Sequence, residues 1–407
     1  MILFITRLII NLLFISPYLP SETSGHAGAQ LIFRNIVSLA KKHQVTLVAF
    51  MDSDENHMIE SLTNHGINVH AIFYPRNQKS LISKLSSGIR NIGPMVNSIS
   101  GKEPFYFAKY KSIKMVDLVS KLISESKFDL VQVEYNVMHH YSKQIGDIPN
   151  VIVFHDVSSK VYERGKASGN TSNKRFFDMT RILEPSITNK FDAVVTLTEE
   201  DHDYLQNLGC ESPIHVIPPQ ITIPAIRSTE KNPKAICFVG SFNREPNIQA
   251  VQILIDELFP QLLDKIQLNI IGKDLPNYLV NKIKGIQGIN YLGFIDDVDG
   301  FLASQMMMVA PIQIGSGLKM KIPHALACGT VVITTPVGAE GIGLEESDGL
   351  WIADSNETMV DIINNNIDEL DLMIKQGLSG RNAVKEKFSE NNIIPKFEIL
   401  YSEILQA

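Results

Sequence analysis

A glycine-rich turn in the second half of the chain has the residue types needed to hold an anion. The apolar run MMVAPI (307–312) precedes this turn, and a helix is predicted to begin at Leu318 or Lys319. Free backbone N–H groups and the positive dipole end of such a helix favour a diphosphate. Lys319 and Lys321 add positive charge, whereas the simpler interpretation is a tight strand-to-helix turn whose glycines serve packing. The turn consists of Gly315, Ser316 and Gly317.

Two further groups of candidate ligand contacts lie at predicted strand ends. His155 and Asp156 close the run VIVFHD (151–156), and ligands of parallel sheets bind at the carboxyl ends of strands. Gly25 and Gly28 follow the first predicted strand. Gly28 is interpreted as allowing close backbone approach to a ligand and as opening a helix, while a flexible turn explains Gly25 almost as well.

The sequence offers little evidence of the residue spacings that are typical of metal sites. His139 and His140 are adjacent, and adjacent side chains on a strand point to opposite faces, so they are not expected to share a metal. Cys210, Cys237 and Cys328 include no C-x-x-C pair, which argues against a zinc site and for a reducing compartment. Neither a metal nor a cofactor is therefore expected.

The elements that position these residues are short apolar runs alternating with helix-compatible segments. Apolar runs without alternation are typical of strands buried on both faces, so the pattern predicts α/β architecture with two doubly wound domains. The predicted strands are 11–16, 45–50, 67–73, 130–135, 151–156, 193–198, 235–241, 267–272, 289–294, 307–312, 331–336 and 350–354.

A proline-rich segment marks the domain boundary. Residues 216–224 contain three prolines and lead into the polar run RSTEKNPK, which is typical of a linker. The predicted first domain is 1–217 and the second is 225–385, and a helix at 386–407 is predicted to cross back to the first domain.

The start of the chain does not match a membrane span. Its apolar run has 15 residues and Arg7 interrupts it, whereas a span needs about 20 residues. Residues 12–16 therefore fit a buried first strand better than a signal or an anchor, and a cytoplasmic protein is expected. The net charge of −7, from 37 basic and 44 acidic residues, disfavours a nucleic-acid partner.

Positive charge is concentrated in residues 76–127, which hold 10 basic and 3 acidic residues. One interpretation is a solvated helical face. The other is a docking surface for an anionic membrane or a lipid-linked acceptor. The candidate contacts are Lys79, Lys84 and Arg90, with Phe105 and Phe107 as insertion points.

Several strings together resemble one known family. GSGLKMKIPHALACGTVVITTPVGAEGI is similar to the donor-site signature of the retaining glycosyltransferases of family 4, and SPYLPSETSGHAGAQ, FVGSFNREPN and YLGFIDDVDGFLASQ occur in the corresponding order. The resemblance covers essentially the whole chain. It implies a GT-B fold, with two Rossmann-like domains facing a cleft. It also implies transfer of a sugar, with retention, from a nucleotide-sugar to a glycan or lipid-linked acceptor in glycan or polysaccharide biosynthesis.

The resemblance also implies roles for particular residues. The 315–324 turn, Arg244 and the Gly293-Phe294 loop would hold the nucleotide. Lys319 and Arg244 would stabilise the departing diphosphate. His155 would meet the transferred sugar. Glu340 follows another predicted strand, where it can hold a sugar hydroxyl or cap a helix.

Two departures from the family pattern leave alternatives open. Ser316 and His324 stand where the family usually has two glutamates. His324 can still donate a hydrogen bond to a ribose hydroxyl but supplies no fixed negative charge, and it can also be a local structural residue. The alternatives are a sugar- or nucleotide-binding GT-B protein that has lost turnover, and a GT-B nucleotide-sugar epimerase.

Overall fold

The structure, a computed structural model, divides into two compact units. One unit holds the residues up to Gln220 together with those from Ile393 onward, and the other holds Ile221–Asn392. The Gln220–Ile221 division lies between the predicted boundaries at 217 and 225, and the return to the first unit falls within the predicted 386–407 tail. The structure describes residues 9–24, 26–75, 91–167, 171–225, 230–264, 266–315 and 317–406, with backbone alone at 166–167 and 171–173.

The first unit is built on a parallel sheet of seven strands. These are β1 (Asn11–Ser16), β2 (Gln44–Met51), β3 (Asn68–Phe73), β4 (Leu130–Glu134), β5 (Asn150–Phe154), β6 (Ala193–Thr196) and β7 (Ile214–Val216). Their spatial order is β3-β2-β1-β4-β5-β6-β7. Leu12 of β1 pairs with Val45 on one side and with Leu130 on the other. Strand addition changes direction between β1 and β4, so a ligand site is expected beyond their carboxyl ends.

Both faces of this sheet are buried, which explains why its strands are apolar without alternation. On β1, Leu13 and Ile15 enter one apolar cluster, while Leu12 and Phe14 enter the other. The C-terminal helix Glu390–Gln406 adds its apolar residues to the second cluster. Each fully buried aliphatic side chain contributes roughly 1.5–3 kcal/mol, so these two clusters hold the sheet between its helical layers.

The helices of the first unit connect successive strands. Residues 91–99 are also helical. The others are Ala27–Ala40, Asn56–Thr63, Phe105–Ala108, Ile113–Glu125, Asn136–Tyr141 (3-10), Ser142–Ile145, Ser158–Ala167, Thr171–Thr188 and Glu199–Asn207. None of the helices within the described residues is long and apolar enough to span a membrane.

The second unit repeats this architecture with six parallel strands. They are β8 (Ala235–Val239), β9 (Gln267–Ile271), β10 (Ile289–Gly293), β11 (Met307–Ala310), β12 (Val331–Thr334) and β13 (Leu350–Ile352), in the order β10-β9-β8-β11-β12-β13. Strand addition changes direction between β8 and β11. Its helices are Glu245–Ile253 with its continuation to Gln261, Asn277–Ile283, Val298–Ser304, Lys321–Ala327, Pro336–Ala339, Glu346–Asp348 (3-10), Asn356–Asn366 and Leu370–Phe388.

The prediction of two doubly wound α/β domains is confirmed, and each predicted strand is present. The strand Ile214–Val216 was missed because it is three residues long and its last residue, Val216, is the first of the proline-rich segment. It pairs with β6 and lies at the edge of the sheet. The three cysteines are free thiols.

Candidate active site

The glycine-rich turn of the second unit adopts backbone angles that require glycine. The angle φ is 127° at Gly315 and 66° at Gly317, in the left-handed region that side chains disfavour. Ser316 lies outside the described residues. The next helix begins at Lys321, two or three residues later than predicted. This start keeps Pro323 in the first turn, where its missing N–H costs no hydrogen bond; an earlier start would place it in the helix interior.

Lys319 and Glu340, both predicted ligand contacts, form an ion pair with each other. The Lys319 Nζ lies 3.0 Å from Glu340 Oε2, and the two side chains are 10% and 7% exposed. The loops after β11 and β12 bring them together. Because Glu340 offsets the charge of Lys319, the pair presents less net positive charge to a diphosphate than the lysine alone would.

Lys321 supplies a second cation at this end of the sheet. Its Nζ donates a hydrogen bond to Asn247 Oδ1 and lies 4.6 Å from the centroid of the Phe238 ring. Burial, with a smaller contribution from the charge of Arg244, lowers the pKa of Lys321 to about 7. Arg244 is exposed at the N-cap of the helix Glu245–Ile253. A bound anion would favour the protonated form of Lys321.

The ends of β8, β9 and β10 complete this region. A β-carbon on Gly272 would lie 1.6 Å from the carbonyl oxygen of Gly240, so the two backbones touch. Gly293 has a φ of 67° and open space around it. Phe294 is 60% exposed, and the Nζ of Lys273 lies 4.0 Å from its ring centroid. The predicted Gly293-Phe294 contact is thus an accessible aromatic surface beside a cation.

His324 is paired with a carboxylate on a neighbouring helix. Its Nε2 lies 2.7 Å from Asp299 Oδ1, and Cys328 Sγ lies 3.9 Å from the same oxygen. The atoms with which these three side chains could bind a metal ion lie within 4.8 Å of one another. The sequence had offered no signal for Asp299, which supplies the negative charge that His324 lacks. The ribose contact of His324 stays a prediction.

In the first unit, His155 directly follows β5. Two residues hold its ring: Glu134, the last residue of β4, and Tyr135, which follows it. Its Nε2 lies 2.7 Å from Glu134 Oε2, and both side chains are buried. Its ring stacks on Tyr135, with centroids 3.8 Å apart and planes 6° from parallel. Tyr135 has a φ of 70°, and such strained backbone is concentrated at functional sites. Tyr135 was missed because no sequence pattern reports a positive φ at a tyrosine.

Position 28 requires a glycine because a side chain of the same unit occupies the space beside it. A β-carbon there would lie 1.7 Å from Tyr135 Oη. The close approach at Gly28 is thus made by a phenol of the protein itself, and the predicted approach to a ligand stays a prediction. Gly28 does not open the helix, which runs Ala27–Ala40 with His26 as its N-cap. His26 packs at 4.3 Å from the Tyr18 ring. Gly25 lies outside the described residues.

Three tyrosine hydroxyls meet at this same edge of the sheet. Tyr18 Oη lies 3.2 Å from Tyr106 Oη and 3.2 Å from Tyr110 Oη. Asp156 is exposed, and its negative charge acts on Tyr106. Burial is the main cause that raises the pKa of Tyr135, and the negative charge of Asp156 is a smaller one. Burial also raises the pKa of Tyr106 and that of Tyr110, and a protonated tyrosine hydroxyl can both donate and accept hydrogen bonds.

His139 and His140 do not lie on a strand, so the argument that their side chains point apart was wrong. They belong to the 3-10 helix Asn136–Tyr141, and their rings are 4.1 Å apart. Both Nε2 atoms approach Glu103 Oε1, at 3.1 and 3.3 Å. Burial lowers the pKa of His139 to about 3 and that of His140 to about 4. Both imidazoles are therefore neutral at pH 7.

One of the predicted membrane contacts is contradicted by the structure, and three others lie outside the residues that it describes. Phe107 is fully buried in the apolar cluster of the first unit and is not an insertion point, because the short helix Phe105–Ala108 turns it inward. Lys79, Lys84 and Arg90 lie outside the described residues.

Family comparisons cover both units. Residues 33–223 match the family described as Glycosyltransferase Family 4, and residues 233–368 match Glycosyl transferases group 1. The chain belongs to the glycosyltransferases. No curated protein sequence matches it significantly.

Solved structures share the fold of this glycosyltransferase across nearly its whole length. Anabaena Alr3699/HepE in complex with UDP and glucose is 14% identical, with a TM-score of 0.68 over 97% of this chain and 100% of that one. Sucrose-phosphate synthase from Thermosynechococcus elongatus is 14% identical, with a TM-score of 0.71 over 97% and 99%. An S. aureus TarM mutant in complex with Fondaparinux, alpha-GlcNAc-glycerol and UDP is 12% identical, with a TM-score of 0.67 over 96% and 100%. These likenesses confirm the predicted GT-B fold.

Proposed function

We propose that this glycosyltransferase moves a hexose, with retention, from a nucleoside diphosphate sugar to a hydroxyl group of a glycan acceptor in glycan or polysaccharide biosynthesis. The observation that carries the proposal is the cationic end of the second sheet. There the left-handed turn at Gly315 and Gly317 leads directly to Lys321, which packs beside Asn247 and feels the charge of Arg244.

The proposed role of this end of the sheet is to bind the nucleotide and its diphosphate. Lys321 and Arg244 would offset the negative charge that develops on the departing diphosphate, and Lys319 would add the part of its charge that Glu340 does not offset. We assign this role to side chains, and the proposal needs no metal. His324, together with Asp299, is the proposed ribose contact.

The proposed role of the first unit is to present the acceptor and to orient the sugar. His155 is held by Glu134 and Tyr135 at the carboxyl end of β5, where ligands of doubly wound sheets bind. The hydroxyls of Tyr18 and Tyr106 supply further hydrogen-bonding groups. No side chain is assigned as a nucleophile. In the proposed reaction the acceptor hydroxyl attacks on the face from which the diphosphate leaves.

The test is transfer from a panel of UDP-hexoses to simple glycoside acceptors, with the anomer of the product read by proton NMR at the new glycosidic bond. A product with the configuration of the donor supports the proposal, and an inverted product contradicts retention. Binding of UDP with neither transfer nor donor hydrolysis would favour the binding protein. Conversion of the donor to its epimer without an acceptor would favour the epimerase.

We also propose that the first unit docks on an anionic membrane at the cytoplasmic face, where a lipid-linked acceptor would be reached. Four apolar side chains on the helical residues 91–99 are spaced at i, i+3, i+4 and i+7 and are exposed. Their exposed fractions are 57% for Ile92, 52% for Met95, 57% for Val96 and 70% for Ile99. An exposed apolar helix face flanked by cations is typical of interfacial binding.

A basic cavity adjoins these four apolar side chains, which we call the apolar stripe. It has a volume of about 700 Å³ and is lined by residues that include Lys102, Lys174 and Arg175. Arg175 Nη2 donates to the backbone carbonyl of Ser98, at 2.8 Å, which ties the cavity to the end of the stripe. Vesicle co-sedimentation tests the proposal with phosphatidylglycerol against phosphatidylcholine.

Binding to the anionic vesicles alone, lost in the double variant Ile92→Ser and Ile99→Ser, supports docking. The matched control is Leu378→Ser, which removes an exposed apolar side chain of the second unit (48% exposed) and should leave sedimentation unchanged. Absence of binding at low salt contradicts the proposal, because each engaged basic residue should contribute about 1 kcal/mol there.

A further inference from the structure

A buried chain of hydrogen bonds runs from the C-terminal helix through β4 to His155. Tyr401 Oη donates to Gln132 Oε1 at 2.5 Å. Gln132 Nε2 donates to Glu134 Oε1 at 2.6 Å, and His155 Nε2 lies 2.7 Å from Glu134 Oε2. All four residues are buried, at 1% exposure for Tyr401 and Glu134, 0% for Gln132 and 7% for His155. Buried polar groups held in this way are fixed in orientation.

The direction of each bond in the chain can be assigned. The Gln132 carbonyl oxygen accepts from Tyr401, so its NH₂ group faces Glu134. A carboxylate only accepts, so Glu134 takes one hydrogen bond from this NH₂ and one from His155. His155 therefore carries its proton on Nε2, which leaves Nδ1 as an acceptor in the neutral ring. Among the described residues, no hydrogen bond uses Nδ1.

The plane of the imidazole is fixed independently of the hydrogen bonds. Tyr135 stacks on it at 3.8 Å, and Tyr135 is itself confined, because its hydroxyl fills the space beside Gly28 and its ring meets Tyr18 edge-on at 5.6 Å. Together, Glu134 and Tyr135 leave the ring little freedom to rotate or to change its tautomer.

We infer that Glu134 is a positioning residue that holds His155 in the Nε2–H tautomer, so that Nδ1 accepts a hydrogen bond from a sugar hydroxyl. This inference rests on the proposed function for the identity of the ligand. It adds the residue that determines what His155 can do, and it specifies the ligand group as a donor.

The substitution Glu134→Gln gives a sharp test because the two sides of its amide differ. With Tyr401 donating to the Gln132 carbonyl oxygen as it does in the wild type, the NH₂ group of Gln132 requires the new carbonyl oxygen on its side. The new NH₂ group must then face His155 Nε2, which has to accept. The variant should therefore change His155 to the Nδ1–H tautomer and leave a donor where the ligand needs an acceptor.

The measurement is long-range ¹H–¹⁵N NMR on protein labelled at histidine, which separates protonated from unprotonated ring nitrogens. The His155 signals are assigned by their loss in His155→Asn. We expect unprotonated Nδ1 and protonated Nε2 in the wild type near neutral pH, and the reverse in Glu134→Gln. The matched control is Glu184→Gln. Glu184 is another buried carboxylate of the same unit, and it accepts from the backbone N–H groups of Ser158 and Ser159 rather than from a histidine. It should leave the tautomer unchanged.

The tautomer and the reaction are measured separately, so failure of the inference and failure of the proposed function can be told apart. A wild-type His155 that is Nδ1–H or doubly protonated overturns the inference, even if Glu134→Gln does not fold. A retained tautomer in folded Glu134→Gln also overturns it. If the enzyme transfers hexose, kcat/KM of the folded variant should fall roughly 10- to 100-fold, and an unchanged kcat/KM would remove Nδ1 from the ligand. Absence of transfer by the wild type would refute the proposed function and leave the tautomer result standing.

Discussion

Replacing Lys321 by methionine should stabilise the second unit while weakening diphosphate binding. Burial lowers the pKa of Lys321 from 10.5 to about 7. At about 1.4 kcal/mol per pKa unit, this corresponds to at most about 5 kcal/mol of destabilisation. Because the side chain is only half-buried, we expect Lys321→Met to raise the free energy of unfolding by about 1–3 kcal/mol near neutral pH.

The gain in the free energy of unfolding should depend on pH in a direction that follows from the lowered pKa. The unfolded lysine keeps its proton up to about pH 10.5, whereas the folded one releases it near pH 7. Between these values the unfolded state binds more protons, so the stability of the wild type rises with pH. Lys321→Met lacks this rise. The difference between the two proteins should therefore be largest at and below pH 7 and should shrink as the pH approaches 10.5.

Trp351 makes the measurement specific to the second unit. It is the single tryptophan of the chain, it lies on β13, and it is 5% exposed. Guanidinium titrations followed by its fluorescence at about pH 6 and about pH 9 give the difference in unfolding free energy at each pH. The control is Lys273→Met, which removes an exposed lysine that lies against Phe294 and should change stability little.

The functional half of the prediction uses UDP as a probe. Calorimetry in two buffers of different ionisation enthalpy should show proton uptake by the wild type near pH 8, since an anion favours the charged lysine. Lys321→Met should bind UDP more weakly and take up no proton at this site. A variant that is less stable than the wild type, or a stability difference that does not change with pH, would refute the reasoning.

Two further predictions concern pairs of residues that the fold brings together. Lys319→Ala should lower kcat about 100-fold, and it should lower the free energy of unfolding by about 1–3 kcal/mol because Glu340 stays buried without this partner. Adding Glu340→Gln should restore the stability but not kcat. Recovery of both would mean that Lys319 acts only through the structure. Gly28→Ala should lower the melting temperature and activity together, because its β-carbon would overlap the Tyr135 hydroxyl, at a cost of about 1–3 kcal/mol. Gly93→Ala, with no atom within 4 Å of the added carbon, should instead stabilise the helix by up to about 1 kcal/mol, and equal effects of the two substitutions on the melting temperature would contradict the overlap.

The sequence by itself determined the elements and their class. Apolar runs such as NLLFIS and VIVFHD are local signals, since a strand covered on both faces must be apolar at successive positions. The proline-rich segment and the glycines at 315 and 317 are local too, because they act through their own backbone angles. The strand Ile214–Val216 escaped because three residues carry too little pattern to be distinguished from a linker.

Only the tertiary structure decided which side chains meet. Glu134 and His155, like Lys319 and Glu340, are separated by 21 residues along the chain, and no periodicity relates their positions. They become partners because parallel strands that are neighbours in the sheet end at one edge, so contacts there follow strand order rather than distance along the chain. The same holds for Tyr135, whose strained backbone and contact with Gly28 depend on how the ends of β1, β4 and β5 pack. The sequence therefore places the candidate residues at strand ends, and the packing of those ends sets their charges, tautomers and partners.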